Sequence, residues 1–172
     1  LAALALVSVL GVKPAAVITA LKQFPGLAHR CQWVRNINGV DYFNDSKGTN
    51  VGSTLAALKG LGRTISGRIW LLAGGEGKGQ DFSELAEFCQ TYVAEVLAYG
   101  IDATRIVDGV DGACKTSQWQ TIDEALNHAR QHAQKNDVVL LSPACASFDQ
   151  FKNFEHRGDS FKKWALQLES HS

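Results

Sequence analysis

LSPACASFDQFKNF, residues 141–154, continues the apolar run Asp137 to Leu141, and its reading decides the fold. A short apolar run that stops at Ser-Pro and small residues reads as a buried strand ending in a tight turn. The residues after the turn read as the opening of a helix, with Ser147 at or near its start. Two earlier stretches, Asn44 to Asn50 and Gly74 to Gly79, have the composition of loops built to meet that turn.

Upstream, strand-like and helix-like stretches alternate. Cys31 to Arg35 and Val40 to Asn44 flank an Asn38-Gly39 pair, a strong hairpin signal. Thr49 to Leu61 reads as a helix that Thr49 can cap, Arg68 to Ala73 as an apolar strand, and Phe82 to Tyr92 as a helix. Val93 to Tyr99 is a second apolar strand, Ala103 to Val107 a short helix or turn, and Ala113 to Thr116 a weak strand. Ile122 to Gln134 is a helix, and Asp137 to Leu141 the last buried strand. Apolar strands alternating with amphipathic helices indicate a doubly wound, mostly parallel α/β sheet covered on both faces, with the hairpin strand antiparallel at one edge.

Leu1 to Leu10 and Pro14 to Phe24 are two helical patterns too short to enclose a core, and Phe24-Pro25-Gly26-Leu27 is the candidate boundary. We therefore expect residues 1–26 to belong to the edge of a preceding domain and residues 27–172 to form the α/β domain. The absence of Met and a start inside a helical pattern read as a piece of a longer protein.

The chain has 172 residues, 45% of them hydrophobic, enough for one main core. Its net charge is zero with no basic stripe, which argues against nucleic acid or an anionic membrane as the main partner. No apolar stretch reaches bilayer length. Cys31, Cys89, Cys114 and Cys145 are scattered, with no C-x-x-C pair, which argues against a disulfide framework or structural zinc and for a reducing, cytoplasmic setting.

In open α/β sheets, ligands sit beyond the carboxyl ends of the strands. Asp45 and Lys47 can be solvated turn residues, or can meet a sugar hydroxyl and a phosphate. The glycine-rich loop departs from G-x-x-x-x-G-K-S/T, since position 72 is Leu and Lys78 precedes Gly79, and it also fails the dinucleotide fingerprint. What remains is a flexible turn offering backbone N–H groups and Lys78 to a carboxylate or phosphate. Ser147 is either a helix cap or an anion contact. Cys145 has no evident base and reads as a small buried residue. His128 and His132, at i, i+4, lack a third metal ligand and read as a solvated helix face. Glu155 to Trp164 reads as a surface helix packing Phe161 and Trp164 inward. Arg30, just past the boundary, is a cation placed to reach a nucleotide in a neighbouring domain.

With FPGLAHR (24–30), NDSKGTNVGST (44–54), GGEGKGQDF (74–82) and SPACASFDQFKNFEHRG (142–158), the chain resembles the Mur ligase family, in its D-glutamate-adding branch. The familiar second motif has Ala where Gly48 stands, a departure that changes no functional side chain. The resemblance implies a monomeric cytoplasmic enzyme of peptidoglycan synthesis, and so of cell-wall construction, cell shape and division. Its three domains would bind the UDP-sugar, bind ATP, and form a Rossmann-like C-terminal unit corresponding to this chain. Lys78, Thr49, Ser147, Phe148 and Phe154 would then hold D-glutamate, while Arg30, Asp45 and Lys47 would reach ATP. Mg2+ and UDP-N-acetylmuramoyl-L-alanine would be bound mainly outside this chain, so the chain alone would not turn over. No residue within it is assigned a certain catalytic role. Other amide ligases of the superfamily, a stand-alone ligand-binding module and a redox Rossmann domain are the competing readings.

Overall fold

Every residue of the strand Ile69–Gly74 is buried, and its two sides feed two separate cores. Ile69, Leu71 and Ala73 pack in one apolar cluster, Trp70 and Leu72 in the other. A strand apolar on both sides must be covered on both. In the computed structural model, which describes residues 5–7 and 9–169, this is the third of six strands. They are β1 (Gln32–Ile37), β2 (Val40–Asn44), β3 (Ile69–Gly74), β4 (Val93–Tyr99), β5 (Lys115–Trp119) and β6 (Val138–Leu141). The sheet order is β1-β2-β6-β3-β4-β5. Only the β1–β2 pair is antiparallel.

The helices are α1 (Pro14–Gln23), α2 (Val51–Gly62), α3 (Ala86–Tyr92, entered through a 3-10 turn at Ser83–Leu85), α4 (Ala103–Gly109), α5 (Ile122–His132) and α6 (Phe154–Gln167). Val51, Ala57 and Leu58 of α2, Cys89 of α3 and Ile106 of α4 cover one face; Leu126 and Ala129 of α5 and Phe161 and Ala165 of α6 cover the other. The chain thus runs outward from β3 to β5 along one face and returns to β6 along the other. That reversal places the crevice at the carboxyl ends of β2, β6 and β3. The expected Rossmann-like architecture is present, and no helix among the described residues is long and apolar enough to cross a membrane.

Asn38 and Gly39 turn the hairpin with φ of 53° and 83°, the paired positive angles of a type I′ turn. Strand β1 starts at Gln32 and runs to Ile37, two residues beyond its expected end. The expected strand at Ala113 to Thr116 lies later, at Lys115–Trp119, because the Ala113 N–H still bonds Val110 O (3.0 Å) in the turn that closes α4. Helix α2 is capped by Asn50, whose side chain accepts from Ser53 N, and not by Thr49. Helix α5 opens with a capping box between Thr121 and Glu124. Of the expected helix Leu1 to Leu10, only residues 5–7 are described as helical; its other residues lie largely outside the description.

The largest correction concerns the segment after β6. No helix opens at Ser147; one turn forms, with Phe151 N bonding Ser147 O (2.8 Å), and α6 begins only at Phe154, capped by Asn153. The side chains tie this segment to its neighbours instead. Asp149 accepts from Ile101 N (3.3 Å), and Gln150 donates to Gln120 O (2.7 Å). Ala146 forms an isolated bridge with Glu76. The expected inward packing of Phe161 and Trp164 is present, with Trp164 against Tyr42.

Candidate functional site

The three loops meet. Asp45 N bonds Leu141 O (2.7 Å), Gly74 N bonds Pro143 O (2.9 Å), and Glu76 and Ala146 exchange two backbone bonds of 3.0 and 2.9 Å. Lys47 N donates to His29 O (3.0 Å), which brings the segment carrying Arg30 to the same place.

Asp45 is buried and fully engaged. Its Oδ1 accepts from Cys31 N (3.1 Å) and its Oδ2 from the Ser142 hydroxyl (2.7 Å). It is therefore not a solvated turn residue. With Arg30, Cys31, Lys47, Gly48, Ser53, Ala56 and Ala57 it lines an open cleft of about 320 Å³. The three residues expected to face a nucleotide, Arg30, Asp45 and Lys47, thus share one cavity.

The other expected residues lie on the three converging loops and at the start of α6. Lys78 is exposed, with φ of 51°, and its Nζ lies 5.7 Å from the ring centre of the exposed Phe148. Ser147, beside Phe148, is buried. Thr49 stands just before α2, whose first N–H, at Val51, donates to Gln80 Oε1 of the glycine loop (3.0 Å). Phe154 lies on the cleft side: the Lys47 ammonium sits 3.9 Å above its ring, and His29 meets it edge-on at 6.0 Å.

Two residues that sequence reading passed over hold this arrangement. Arg157 is fully buried in α6, and its guanidinium donates to Ser46 Oγ (3.0 Å), Ser46 O (2.9 Å), Gly74 O (3.4 Å) and Cys145 O (3.1 Å). One side chain therefore touches all three loops. The available signal was position: Arg157, Phe161 and Ala165 fall on one i, i+4, i+8 stripe. Asn44 is the second. Wholly buried, it bonds Gly158 O (2.9 Å), Ser46 N (3.1 Å) and the His29 ring (3.1 Å).

A family model described as the Mur ligase glutamate ligase domain matches residues 29–145, more than half of the chain. The chain belongs to the Mur ligase family. Among the relatives of this Mur ligase domain, the UDP-N-acetylmuramoylalanine--D-glutamate ligase of Pseudomonas aeruginosa is 52% identical over 168 residues, 98% of this chain and 38% of the relative. The protein of the same name from Hahella chejuensis is 48% identical with the same coverage. This chain therefore spans about 38% of the length of the curated relatives it matches. A crystal structure of MurF from Acinetobacter baumannii shares the fold with a TM-score of 0.69 at 18% identity, over 97% of this chain and 36% of that one.

Gly48 is less neutral than its motif position suggests. A Cβ there would lie 2.6 Å from Asp45 Oδ2 and 2.9 Å from Ser142 Oγ, so an alanine would shift the carboxylate that lines the cleft. Cys145 of the Mur ligase domain is buried, and that burial, reinforced by Asp102, pushes its thiol up to about 12, which removes it as a nucleophile. His128 is not on a solvated face as expected. Its ring stacks on His132 at 4.1 Å and meets Trp119 at a tilt of 42° with centroids 4.9 Å apart, and its Nε2 lies 3.3 Å from the buried Glu95.

Two buried carboxyls give the domain opposing pH dependences. Burial raises the Asp45 pKa, outweighing the Ser142 and Cys31 hydrogen bonds and Arg30. At Glu95, burial also acts upward, but Lys115, Ser117 and His128 prevail and the pKa falls. A raised folded value means the protonated form is favoured by folding. The Asp45 contribution is therefore lost as pH rises from the ordinary carboxylate range through its folded value. The Glu95 contribution is present above the unfolded value and lost as pH falls through the lowered folded one. In urea unfolding across the acid range, Asp45→Asn should remove the first dependence and Glu95→Gln the second. An Asp45→Asn profile parallel to the parent would contradict this assignment.

Proposed function

We propose that this domain is the C-terminal part of an ATP-dependent ligase that joins D-glutamate to UDP-N-acetylmuramoyl-L-alanine in peptidoglycan synthesis. The observation that carries the reading is that the loops bearing Lys78 and Ser147-Phe148 are bonded to each other and to the loop bearing Asp45 and Lys47, which with Arg30 line one cleft. The relatives named for this reaction, matched over nearly the whole chain, support it.

In this reading ATP transfers its terminal phosphoryl group to the carboxylate of the UDP-sugar substrate. The amine of D-glutamate attacks the resulting acyl phosphate, and the tetrahedral intermediate expels inorganic phosphate to leave the amide. The domain's part is positioning. Lys78 and the Ser147 loop face the carboxylates of D-glutamate, with Thr49, Phe148 and Phe154 completing the surround. Arg30, Asp45 and Lys47 close on the nucleotide. Closure of this domain over the rest of the enzyme aligns the amine and excludes the water that would hydrolyse the acyl phosphate. In this reading magnesium is held by the remainder of the enzyme. Residues 1–26 then belong to the preceding domain, and the exposure of Ile18, Leu21 and Phe24 supports this.

The test is a titration of the isotopically labelled chain with D-glutamate and, separately, L-glutamate. Amide shifts should cluster at Thr49, Lys78 and Ser147 for the D-isomer, with affinity about tenfold or more weaker in Lys78→Ala. Equal responses to both isomers, or an undiminished response in Lys78→Ala, would sink the assignment.

A further inference from the structure

Gln80, two residues beyond Lys78, is half-buried and makes three side-chain hydrogen bonds to three separate segments. Its Nε2 donates to Gly77 O (2.9 Å) within the glycine loop and to Ala144 O (3.1 Å) in the loop after β6. Its Oε1 accepts from Val51 N (3.0 Å), the first residue of α2. A primary amide offers two N–H donors and a carbonyl acceptor in one plane, and here both kinds of group are used. The reverse orientation would set N–H against N–H and oxygen against two carbonyls. The amide therefore has one stable pose.

The backbone is gripped as well. Gln80 N bonds Gly77 O (3.1 Å), Gln80 O accepts from Arg105 Nη2 (3.0 Å), and Gly77 N donates to Asp102 Oδ2 (2.6 Å). Between these fixed points stands Lys78, exposed and with a left-handed backbone that a side-chain-bearing residue adopts only when its surroundings impose it. A flexible lysine on a glycine-rich loop is a poor binding group unless the loop is ordered before the ligand arrives.

We propose that Gln80 is the positioning residue that presets the Lys78 loop, fastening it to the start of α2 and to the Ala144 loop so that Lys78 meets a substrate carboxylate without further ordering. This rests on the reading that Lys78 binds D-glutamate. Gln80 touches no substrate in this view; it acts through the loop.

The labelled chain, its Gln80→Ala variant and its Gln80→Glu variant are compared by D-glutamate titration and by amide hydrogen exchange. In Gln80→Ala, exchange at Val51 and Gly77 should rise about tenfold or more while Leu71 and Leu72 of β3 stay unchanged, marking a local release. D-Glutamate affinity should fall about tenfold. Gln80→Glu keeps an acceptor for Val51 but sets a carboxylate oxygen against the Gly77 and Ala144 carbonyls, so it should lose as much. Parent-like D-glutamate affinity in a folded Gln80→Ala chain overturns the proposal, as does a rise in exchange that extends equally to Leu71 and Leu72. If the parent chain gives no response to D-glutamate, the functional reading fails by itself. The exchange comparison then decides whether Gln80 presets the loop: unchanged Val51 and Gly77 protection in Gln80→Ala overturns that role, and a local rise supports it.

Discussion

Arg157→Ala is expected to cost at least about 3 kcal/mol of stability, and to abolish ligand response in whatever fraction still folds. The guanidinium is wholly buried, and it is spent on neutral acceptors: Ser46 Oγ and the carbonyls of Ser46, Gly74 and Cys145. Truncation leaves those carbonyls without a donor, at about 1–3 kcal/mol for each group that neither water nor relaxation can satisfy. It also leaves a cavity where the guanidinium stood. Arg157→Lys separates geometry from charge. An ammonium keeps the charge but cannot present the planar fork that spans three loops, so it should recover only a minor part of the loss. Urea unfolding of the three proteins gives the comparison. A loss below about 1 kcal/mol for the alanine variant, or full recovery by lysine, would mean that the loops hold together without this side chain.

Gly75→Ala should be at least as damaging, by about 3 kcal/mol or more, through backbone alone. Gly75 has φ of 120°, and a Cβ would fall 2.0 Å from Ala146 O and 3.3 Å from Cys145 Cβ. The obstacle is main chain that is itself bridged to Glu76, so no flexible side chain can swing aside. Gly75 also donates to Tyr99 O (3.2 Å) and accepts from Asp102 N (3.2 Å), so rotating out of the way would break two further bonds. Gly79→Ala is the control. Its φ is 76° but a Cβ there meets nothing within 4 Å, so only the left-handed strain of about 1–2 kcal/mol is incurred. Urea midpoints for the two variants should differ clearly; equal values would refute the close-approach account of Gly75.

The sheet, the hairpin and the three converging loops were legible because each rests on local patterning. Wholly apolar strands, Asn38-Gly39 and glycine-rich strand ends report their own conformation. The start of α6 was not legible, because what delays it is non-local: Asp149 reaching Ile101, Gln150 reaching Gln120, and Ala146 bridging Glu76. The same holds for Asp45, which looks like a turn residue until Cys31 and Ser142 are folded onto it. Arg157 was hidden by its type, since a buried arginine in a mixed-sign helix resembles a surface one. Only its place on the stripe with Phe161 and Ala165 could have marked it. Gln80 left no such mark, because two of its three partners, Val51 and Ala144, lie 29 and 64 residues away.

Strand β6 is the last of the sheet to be made and lies between β2 and β3, pairing with both. During synthesis, then, the hairpin and the β3–β4–β5 layer emerge as two unjoined pieces with open edges facing each other. They can be joined only after residue 141 has left the ribosome, and Arg157, which fastens the loops at their ends, comes later still. Closure by such sequence-distant pairing is slow, and it leaves apolar strand edges exposed while it waits. A chain cut anywhere before β6 should therefore be a chaperone client rather than a smaller domain, and the three loops that Arg157 fastens would be the final part of the fold to come into being.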